Sequence, residues 1–71
     1  MLNEDWKNTY NAAMDSVNLL NRGKPAYESE EDWADTVRRN VEHLKIQVRK
    51  EWPEGFDLTP FNEAIAANDN S

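Results

Sequence analysis

Apolar residues recur every three or four positions along the middle of the chain, between Ser29 and Pro53. This spacing places them on one face of an α-helix and predicts a helix over residues 30–51. Ser29 is suited to cap its first turn, and Pro53 disfavours helical geometry in the residue before it. A helix of about 22 residues is about 33 Å long, so its apolar stripe needs cover from the rest of the chain or from a second molecule. The stripe consists of Trp33, Val37, Val41, Leu44, Val48 and Trp52.

A second apolar stripe with the same period lies near the start of the chain and predicts a helix over residues 4–22. Asn3 is a suitable cap for its first turn. Gly23 favours the left-handed conformation that follows many helix ends, and Pro25 does not continue a helix. The connection over residues 23–28 has the length of loops that join antiparallel helices. The stripe consists of Trp6, Tyr10, Ala13, Val17 and Leu20.

A short third helix is predicted over residues 60–66. Thr59 is suited to cap it, and Pro60 fits the first helical position. Residues 67–71 form a polar tail that we expect to fray. The sequence therefore predicts a single small all-α domain over residues 1–71. Its expected architecture is an antiparallel two-helix hairpin with a short third C-terminal helix, as a single chain or as an oligomer.

Large aromatic residues occur in both long helices and after the second one. In an antiparallel hairpin, Trp6 lies near Trp52, and these two are expected to cluster with Phe56 and Phe61. Trp33 is expected near the connection between the long helices instead. We interpret these side chains as the core of the fold. The alternative is that one of them anchors a partner, since tryptophan is enriched at interface hot spots.

Some apolar residues lie off the two stripes. Ile46 falls nearly opposite Leu44 on a helical wheel, among charged residues, and Leu19 lies off the stripe of the first helix. A single exposed isoleucine is ordinary for a protein surface, so simple exposure and a second contact surface both remain open. The candidate partner contacts are Leu19, Ile46, Arg39 and Lys50.

The 71 residues include 14 acidic and 8 basic ones, which gives a net charge of −6. This charge disfavours direct binding to nucleic acid, which requires basic residues to neutralise phosphates. Acidic residues at the start of the second helix and basic residues toward its end complement the helix dipole. Asp35–Arg39 and Glu42–Lys45 have the spacing of helical ion pairs. No run of apolar residues approaches the roughly 18 that a membrane span requires.

The residues that catalysis and cofactor binding require are scarce. The chain has no cysteine and a single histidine, His43, so we expect no disulfide, no metal site within one chain and no cofactor. It has no glycine-rich phosphate loop and no serine placed with the histidine in a recognisable order. A chain this small is expected to have little room for a pocket of about 300 Å³. We therefore expect no enzyme and no small-molecule substrate, unless a site forms between copies of the chain.

Two segments, 40–46 and 57–65, read NVEHLKI and DLTPFNEAI. Across about residues 39–66 the chain resembles short helical proteins encoded by tailed bacteriophages and prophages. The resemblance carries no catalytic motif and transfers no functional residue. It implies a phage context, in which small non-enzymatic proteins serve as virion parts, assembly chaperones or inhibitors of host factors.

The leading hypothesis is a non-enzymatic protein–protein interaction module that binds a protein partner or a second copy of itself, as a phage virion component or assembly factor. The alternative is an acidic inhibitor that imitates DNA and blocks a host nuclease or DNA-binding protein. Both hypotheses place the protein in the bacterial cytoplasm or in the virion. The acidic start of the chain differs from the basic start of a secretory signal, so export is not expected.

Overall fold

The computed structural model describes residues 2–69, and it describes the side chains of residues 5–69. Within this part the chain forms three helices, α1 (Leu2–Arg22), α2 (Glu30–Val48) and α3 (Thr59–Asn68), and no strand. Each helix packs against the other two. The predicted all-α class is confirmed.

The first helix begins earlier than the sequence predicts and ends where it predicts. Because α1 starts at Leu2, Asn3 lies within its first turn and does not precede the helix. The Asn3 side chain lies outside the described part of the chain. At the other end Gly23 has a φ of 86°, and its N–H donates to the carbonyl of Leu19 at 3.3 Å. Residues with a side chain rarely adopt this φ, so glycine allows the chain to leave the helix here.

The start of α2 confirms the predicted cap. Ser29 has extended backbone angles, and its hydroxyl oxygen accepts a hydrogen bond from the N–H of Asp32 at 3.1 Å. The preceding connection is tied to the helix as well, because the hydroxyl of Thr36 donates to the carboxylate of Glu28 at 3.2 Å. These bonds fix the direction in which α2 leaves the connection.

The predicted end of α2 is wrong, because the helix stops at Val48 and not at residue 51. The N–H of Arg49 donates to the carbonyl of Ile46 at 3.3 Å, and the N–H of Lys50 donates to that of Gln47 at 3.2 Å. The indole of Trp52 then folds back and donates to the Gln47 carbonyl at 2.6 Å. Trp52 therefore reaches the core from a loop, although its position in the sequence continues the helical spacing of the α2 stripe.

The third helix differs from its prediction at both ends. It begins at Thr59 and continues to Asn68, so the first part of the expected polar tail is helical. Residues 70 and 71 of that tail lie outside the described residues. The Thr59 side chain does not cap the helix. Instead, the carboxylate of Asp57 accepts from the N–H of Thr59 at 3.0 Å, and this bond together with one from the Thr59 hydroxyl lowers the pKa of Asp57.

The core lies where the three helices meet. Each helix contributes buried apolar side chains, and those of α1 and α2 all belong to the two predicted stripes. Val37 and Val48 are half-buried against this core. The buried set consists of Ala13, Val17, Leu20, Val41, Leu44, Phe61 and Ala64.

An aromatic cluster extends this core toward the start of α1. The ring centroids of Trp6 and Trp52 lie 4.7 Å apart. Tyr10 contacts Trp52, Phe56 and Phe61 at centroid distances of 5.9, 5.3 and 5.1 Å, and its hydroxyl donates to a backbone carbonyl in the loop before α3 at 2.8 Å. The predicted clustering of Trp6, Trp52, Phe56 and Phe61 is confirmed, with Tyr10 in contact with three of its members.

Candidate interaction surfaces

Three of the four predicted contact residues lie on or just after α2. Ile46 is 52% exposed, and Arg39 lies seven residues before it, two helical turns away on the same face. Lys50 is exposed just beyond the end of the helix. Leu19 differs, because it is half-buried and packs against the core. We call the outer side of α2 that carries Arg39 and Ile46 the Ile46 face.

Ion pairs cover part of this outer side. A carboxylate oxygen of Asp35 lies 3.1 Å from a guanidinium nitrogen of Arg39, which confirms the predicted pair. The other carboxylate oxygen of Asp35 pairs with Arg38. Both arginine side chains are more than two-thirds exposed, so these pairs order the surface more than they stabilise the fold.

The second predicted ion pair, Glu42–Lys45, is wrong. The ammonium of Lys45 lies 2.9 Å from the carboxylate of Asp69 instead. This bridge joins α2 to the residue that follows α3. It forms because α3 packs beside α2, an arrangement that spacing along a single helix does not indicate.

A cavity of about 420 Å³ lies between α2, the end of α3 and the connection that precedes α2. Trp33, Ala34 and Val37 line it from α2, and Ala67 and Asn68 line it from α3. Its volume exceeds about 300 Å³, the lower end of the range for ligand pockets. The expectation that the chain has little room for such a pocket is therefore wrong.

A second cavity of about 190 Å³ continues the first one along α2. The two share Ala34, Val37 and Asn68 among their lining residues, and the second extends to Val41. They are adjoining parts of one depression, which we call the α2–α3 groove. Apolar side chains such as those of Trp33 and Val37 and charged ones such as those of Lys24 and Arg38 both line it, so it is a concave surface of mixed character.

The charged groups along the groove differ in the hydrogen bonds and ion pairs that they form within the chain. The ammonium of Lys24 donates to the carbonyl oxygens of Glu28 and Pro25 at 3.0 and 3.5 Å. The carboxylates of Glu30, at the connection end, and Glu42, farther along α2, line the groove. Neither has an ion pair among residues 5–69.

No pattern in the sequence indicates this groove. The apolar period predicts Trp33 and Val37 to be core residues, whereas both are half-buried and line the groove. The sequence feature that could have indicated a groove is its small residues. Ala34 lies beside the apolar stripe of α2, and Ala64 and Ala67 lie on α3. Small side chains leave space between two packed helices, but that pattern alone does not say which helices meet.

Within the described residues, no group of three or more histidine, cysteine, aspartate or glutamate side chains is placed to hold a metal ion. His43 is half-buried on α2. None of the described helices combines the length with the apolar character that crossing a membrane requires.

Comparison with known proteins finds no relative. No protein-family profile matches the chain, no curated protein is significantly similar to it, and no solved structure matches it. Function must therefore be inferred from the surfaces of the molecule, chiefly the Ile46 face and the α2–α3 groove.

Proposed function

We propose that this protein is a non-enzymatic interaction module that binds another protein through the Ile46 face. The exposure of Ile46 carries the proposal, since 52% of this large aliphatic residue is accessible to solvent. It lies opposite the side of α2 that packs into the core and on the same face as the Arg39 guanidinium. An apolar centre with a charged surround is the usual composition of a protein interface.

The setting we propose is a tailed bacteriophage, with the protein as a virion component or an assembly factor. The resemblance of about residues 39–66 to short phage-encoded helical proteins supports this setting. That segment contains both Arg39 and Ile46, so the residues of the proposed contact lie within it. In this setting the protein acts in the bacterial host cell or in the virion.

We further infer that α1 and α2 form an antiparallel hairpin, with α3 packed against both helices. The contact between Trp6, in the second turn of α1, and Trp52, four residues beyond the end of α2, supports this arrangement. It places Leu19 and Ile46 at opposite ends of the hairpin. Leu19 then belongs to a different surface from Ile46.

The proposed partner is a different protein and not a second copy. Each copy has a net charge of −6, and like charge opposes association of two copies. Dimers or larger oligomers in solution would favour self-association through the same face. Light scattering on the purified protein distinguishes the two cases directly.

The test measures binding to purified capsid and tail proteins of the phage that encodes the chain. Ile46→Asp is expected to weaken binding at least tenfold, because it puts a charge at the centre of the contact. Its thermal unfolding should stay close to that of the unchanged protein, since Ile46 is exposed. Ala12→Asp, at an exposed position of α1, is the matched control and should bind normally. A monomer that binds none of these proteins in any form contradicts the proposal.

The net charge of −6 also favours the alternative of an acidic inhibitor that imitates DNA. Such a protein needs a row of free carboxylates spaced like phosphates. Here the Asp35 carboxylate is paired with two arginines, and that of Asp69 is paired with Lys45. Competition experiments separate the two functions. Binding to a host DNA-binding protein that DNA displaces supports the alternative, and binding that DNA does not displace excludes it.

A further inference from the structure

We propose that the Ile46 face binds an acidic partner, a protein surface on which aspartate or glutamate side chains surround an apolar recess. This inference rests on the proposed function, because it names the chemistry of the partner that binds this face. In the complex Ile46 enters the recess, and the basic side chains around it pair with carboxylates of the partner.

The Ile46 face carries a charge opposite in sign to that of the whole molecule. On a helical wheel, six charged residues between positions 35 and 50 lie within about 80° of Ile46. Four of them are basic and two are acidic, so their formal charge is +2. The chain as a whole has a net charge of −6, which leaves −8 for the rest of the molecule. The six residues are Asp35, Arg38, Arg39, Glu42, Arg49 and Lys50.

Ion pairs within α2 compensate only part of the positive charge. The carboxylate of Asp35 is shared, since one of its oxygens pairs with Arg38 and the other with Arg39. One carboxylate thus faces two guanidinium groups, and this trio keeps one positive charge. Both arginine side chains are more than two-thirds exposed, so they remain accessible to a partner.

The other three charges lie next to Ile46. Arg49 and Lys50 are three and four residues after it, about one helical turn away, and Arg49 keeps helical backbone angles. Both are exposed and have no ion pair among residues 5–69. Glu42, one turn before Ile46, is also exposed and has no ion pair in that range. Two positive charges and one negative charge therefore adjoin the apolar centre.

The loop that follows α2 leads away from the Ile46 face. It carries two further acidic residues, Glu51 and Glu54. Trp52 and Phe56 hold this loop against α1, through ring contacts with two aromatic residues of that helix. Since α1 packs on the core side of α2, opposite Ile46, these two acidic residues belong to the α1 side of the molecule.

The composition of the face favours an acidic protein over a nucleic acid. Nucleic-acid binding depends on many cations that neutralise phosphates, whereas this face has a small positive excess around an apolar centre. Complementary charge around an apolar contact mainly sets the orientation and the rate of association. The charge of −8 on the rest of the molecule repels an acidic partner. Such a partner is therefore directed to the Ile46 face.

The experiment uses the full chain with ¹³C-labelled isoleucine methyl groups and two synthetic helical peptides. Both peptides are alanine-rich with central leucines, which glutamates surround in the first peptide and lysines in the second. The chain contains two isoleucines, and Ile65 serves as the internal reference because it packs against the core from α3. We expect the acidic peptide to shift the Ile46 signal and the basic peptide to shift neither. Added salt should weaken the binding.

Matched variants then test the basic residues of the face. Combining Arg49→Gln with Lys50→Gln should weaken binding of the acidic peptide by up to about fivefold per cation, the range expected for exposed ion pairs. The control combines Lys7→Gln with Arg22→Gln, at exposed cations of α1. It changes the net charge by the same amount and should leave the affinity nearly unchanged.

Removing the unpaired acid of the face should have the opposite effect. Glu42→Gln is expected to strengthen binding of the acidic peptide by up to about fivefold, because it removes a like charge beside the contact. Glu63→Gln, at an exposed position of α3, alters the net charge equally and is the matched control. Equal effects of the two substitutions would show that only the total charge matters.

Three results would overturn the acidic partner and leave the proposed function in place. They are equal shifts by the two peptides, no shift by the acidic peptide at millimolar concentration, and equal effects of each variant and its matched control. The test of the proposed function uses capsid and tail proteins and depends on Ile46 itself, so it is decided separately.

Two further results would assign the face to another occupant. Tighter binding of a short DNA duplex or of phosphatidylglycerol vesicles than of the acidic peptide would identify a phosphate-bearing ligand. Self-association that Arg49→Gln with Lys50→Gln removes would identify a second copy, bound through its acidic side. Either result contradicts both this inference and the proposed function.

Discussion

The indole N–H of Trp52 donates a hydrogen bond to the backbone carbonyl of Gln47, with a nitrogen–oxygen distance of 2.6 Å. Because α2 ends at Val48, the carbonyls of its last turn receive no N–H groups from a further helical turn, and groups after the helix bond them instead. The Gln47 carbonyl accepts from the N–H of Lys50 at 3.2 Å as well as from the indole of Trp52, whose ring packs against Trp6. A single side chain thus bonds the last turn of α2 and joins that end of the helix to the aromatic cluster.

Replacing Trp52 with Phe should therefore lower the free energy of unfolding by more than the smaller ring alone explains. The variant keeps an aromatic ring but removes the donor, and one hydrogen bond contributes about 1 kcal/mol net. Trp6→Phe is the matched control, because Trp6 is also half-buried and has no hydrogen bond from its indole in the described structure. Urea denaturation of both variants measures the difference. Equal losses of unfolding free energy would show that the bond to Gln47 adds nothing.

Leu44→Ala should be among the most destabilising substitutions. Leu44 is fully buried between the helices, and truncating such a leucine costs about 2–5 kcal/mol because a cavity remains. Ile46→Ala, two residues away on the exposed side, should change the free energy of unfolding by less than about 0.5 kcal/mol. Chemical denaturation tests both values, with one common slope of unfolding free energy against denaturant concentration for the two variants. Similar effects at the two positions would mean that α2 is rotated relative to this structure.

Ser29→Ala should destabilise the protein by about 1 kcal/mol, because it removes the acceptor for the Asp32 N–H at the start of α2. Ser29→Asn retains a capping oxygen and should restore most of that loss. Amide hydrogen exchange in the first turn of α2 provides a local readout. If exchange there is the same in both variants, the hydroxyl of Ser29 does not hold this end of the helix.

Gln47→Met should stabilise the protein. Gln47 is only 6% exposed, and its side-chain oxygen has no hydrogen-bond partner within the described residues. An unsatisfied buried acceptor costs about 1–3 kcal/mol, and methionine has a similar length without that acceptor. Gln47→Glu, which places a charge at the same site, should be destabilising. A melting temperature that falls in the methionine variant would indicate that the oxygen has a partner, such as a bound water.

Asp57→Asn should lose stability at neutral pH but little at strongly acidic pH. Hydrogen bonds from Thr59 lower the pKa of Asp57 from its ordinary value of 3.8 in the folded state. A lowered pKa contributes stability that is fully present well above the ordinary value. That contribution is lost as the pH falls through the folded pKa. Melting temperatures measured from pH 7 downward should therefore converge for the two proteins. A constant difference across this range would contradict a role for the ionised carboxylate.

Local sequence signals predicted the all-α class and two of the helix ends correctly. Ser29 caps α2 through its own hydroxyl group, and Gly23 follows α1 because its backbone can adopt a positive φ. Each role follows from the residue type alone. The end of α2 was missed because Trp52 continues the apolar period while lying in a loop. The start of α3 was misread because Asp57, two residues earlier, binds the N–H and hydroxyl of Thr59.

The two candidate surfaces differ in how far sequence reveals them. The exposure of Ile46 follows from its angle on a single helix, so a helical wheel identified it. The groove exists only because the end of α3 lies beside Trp33, Ala34 and Val37. A contact between residues more than thirty positions apart depends on how the helices pack, and no periodicity within one helix encodes it.

The closeness of Trp6 and Trp52 gives the molecule a built-in optical probe. Two indoles whose centroids are 4.7 Å apart and whose planes are tilted by 50° couple their electronic transitions. Such coupling produces paired circular-dichroism bands of opposite sign that disappear when the rings separate. Docking of the loop after α2 onto α1 can therefore be timed without a label during refolding from denaturant.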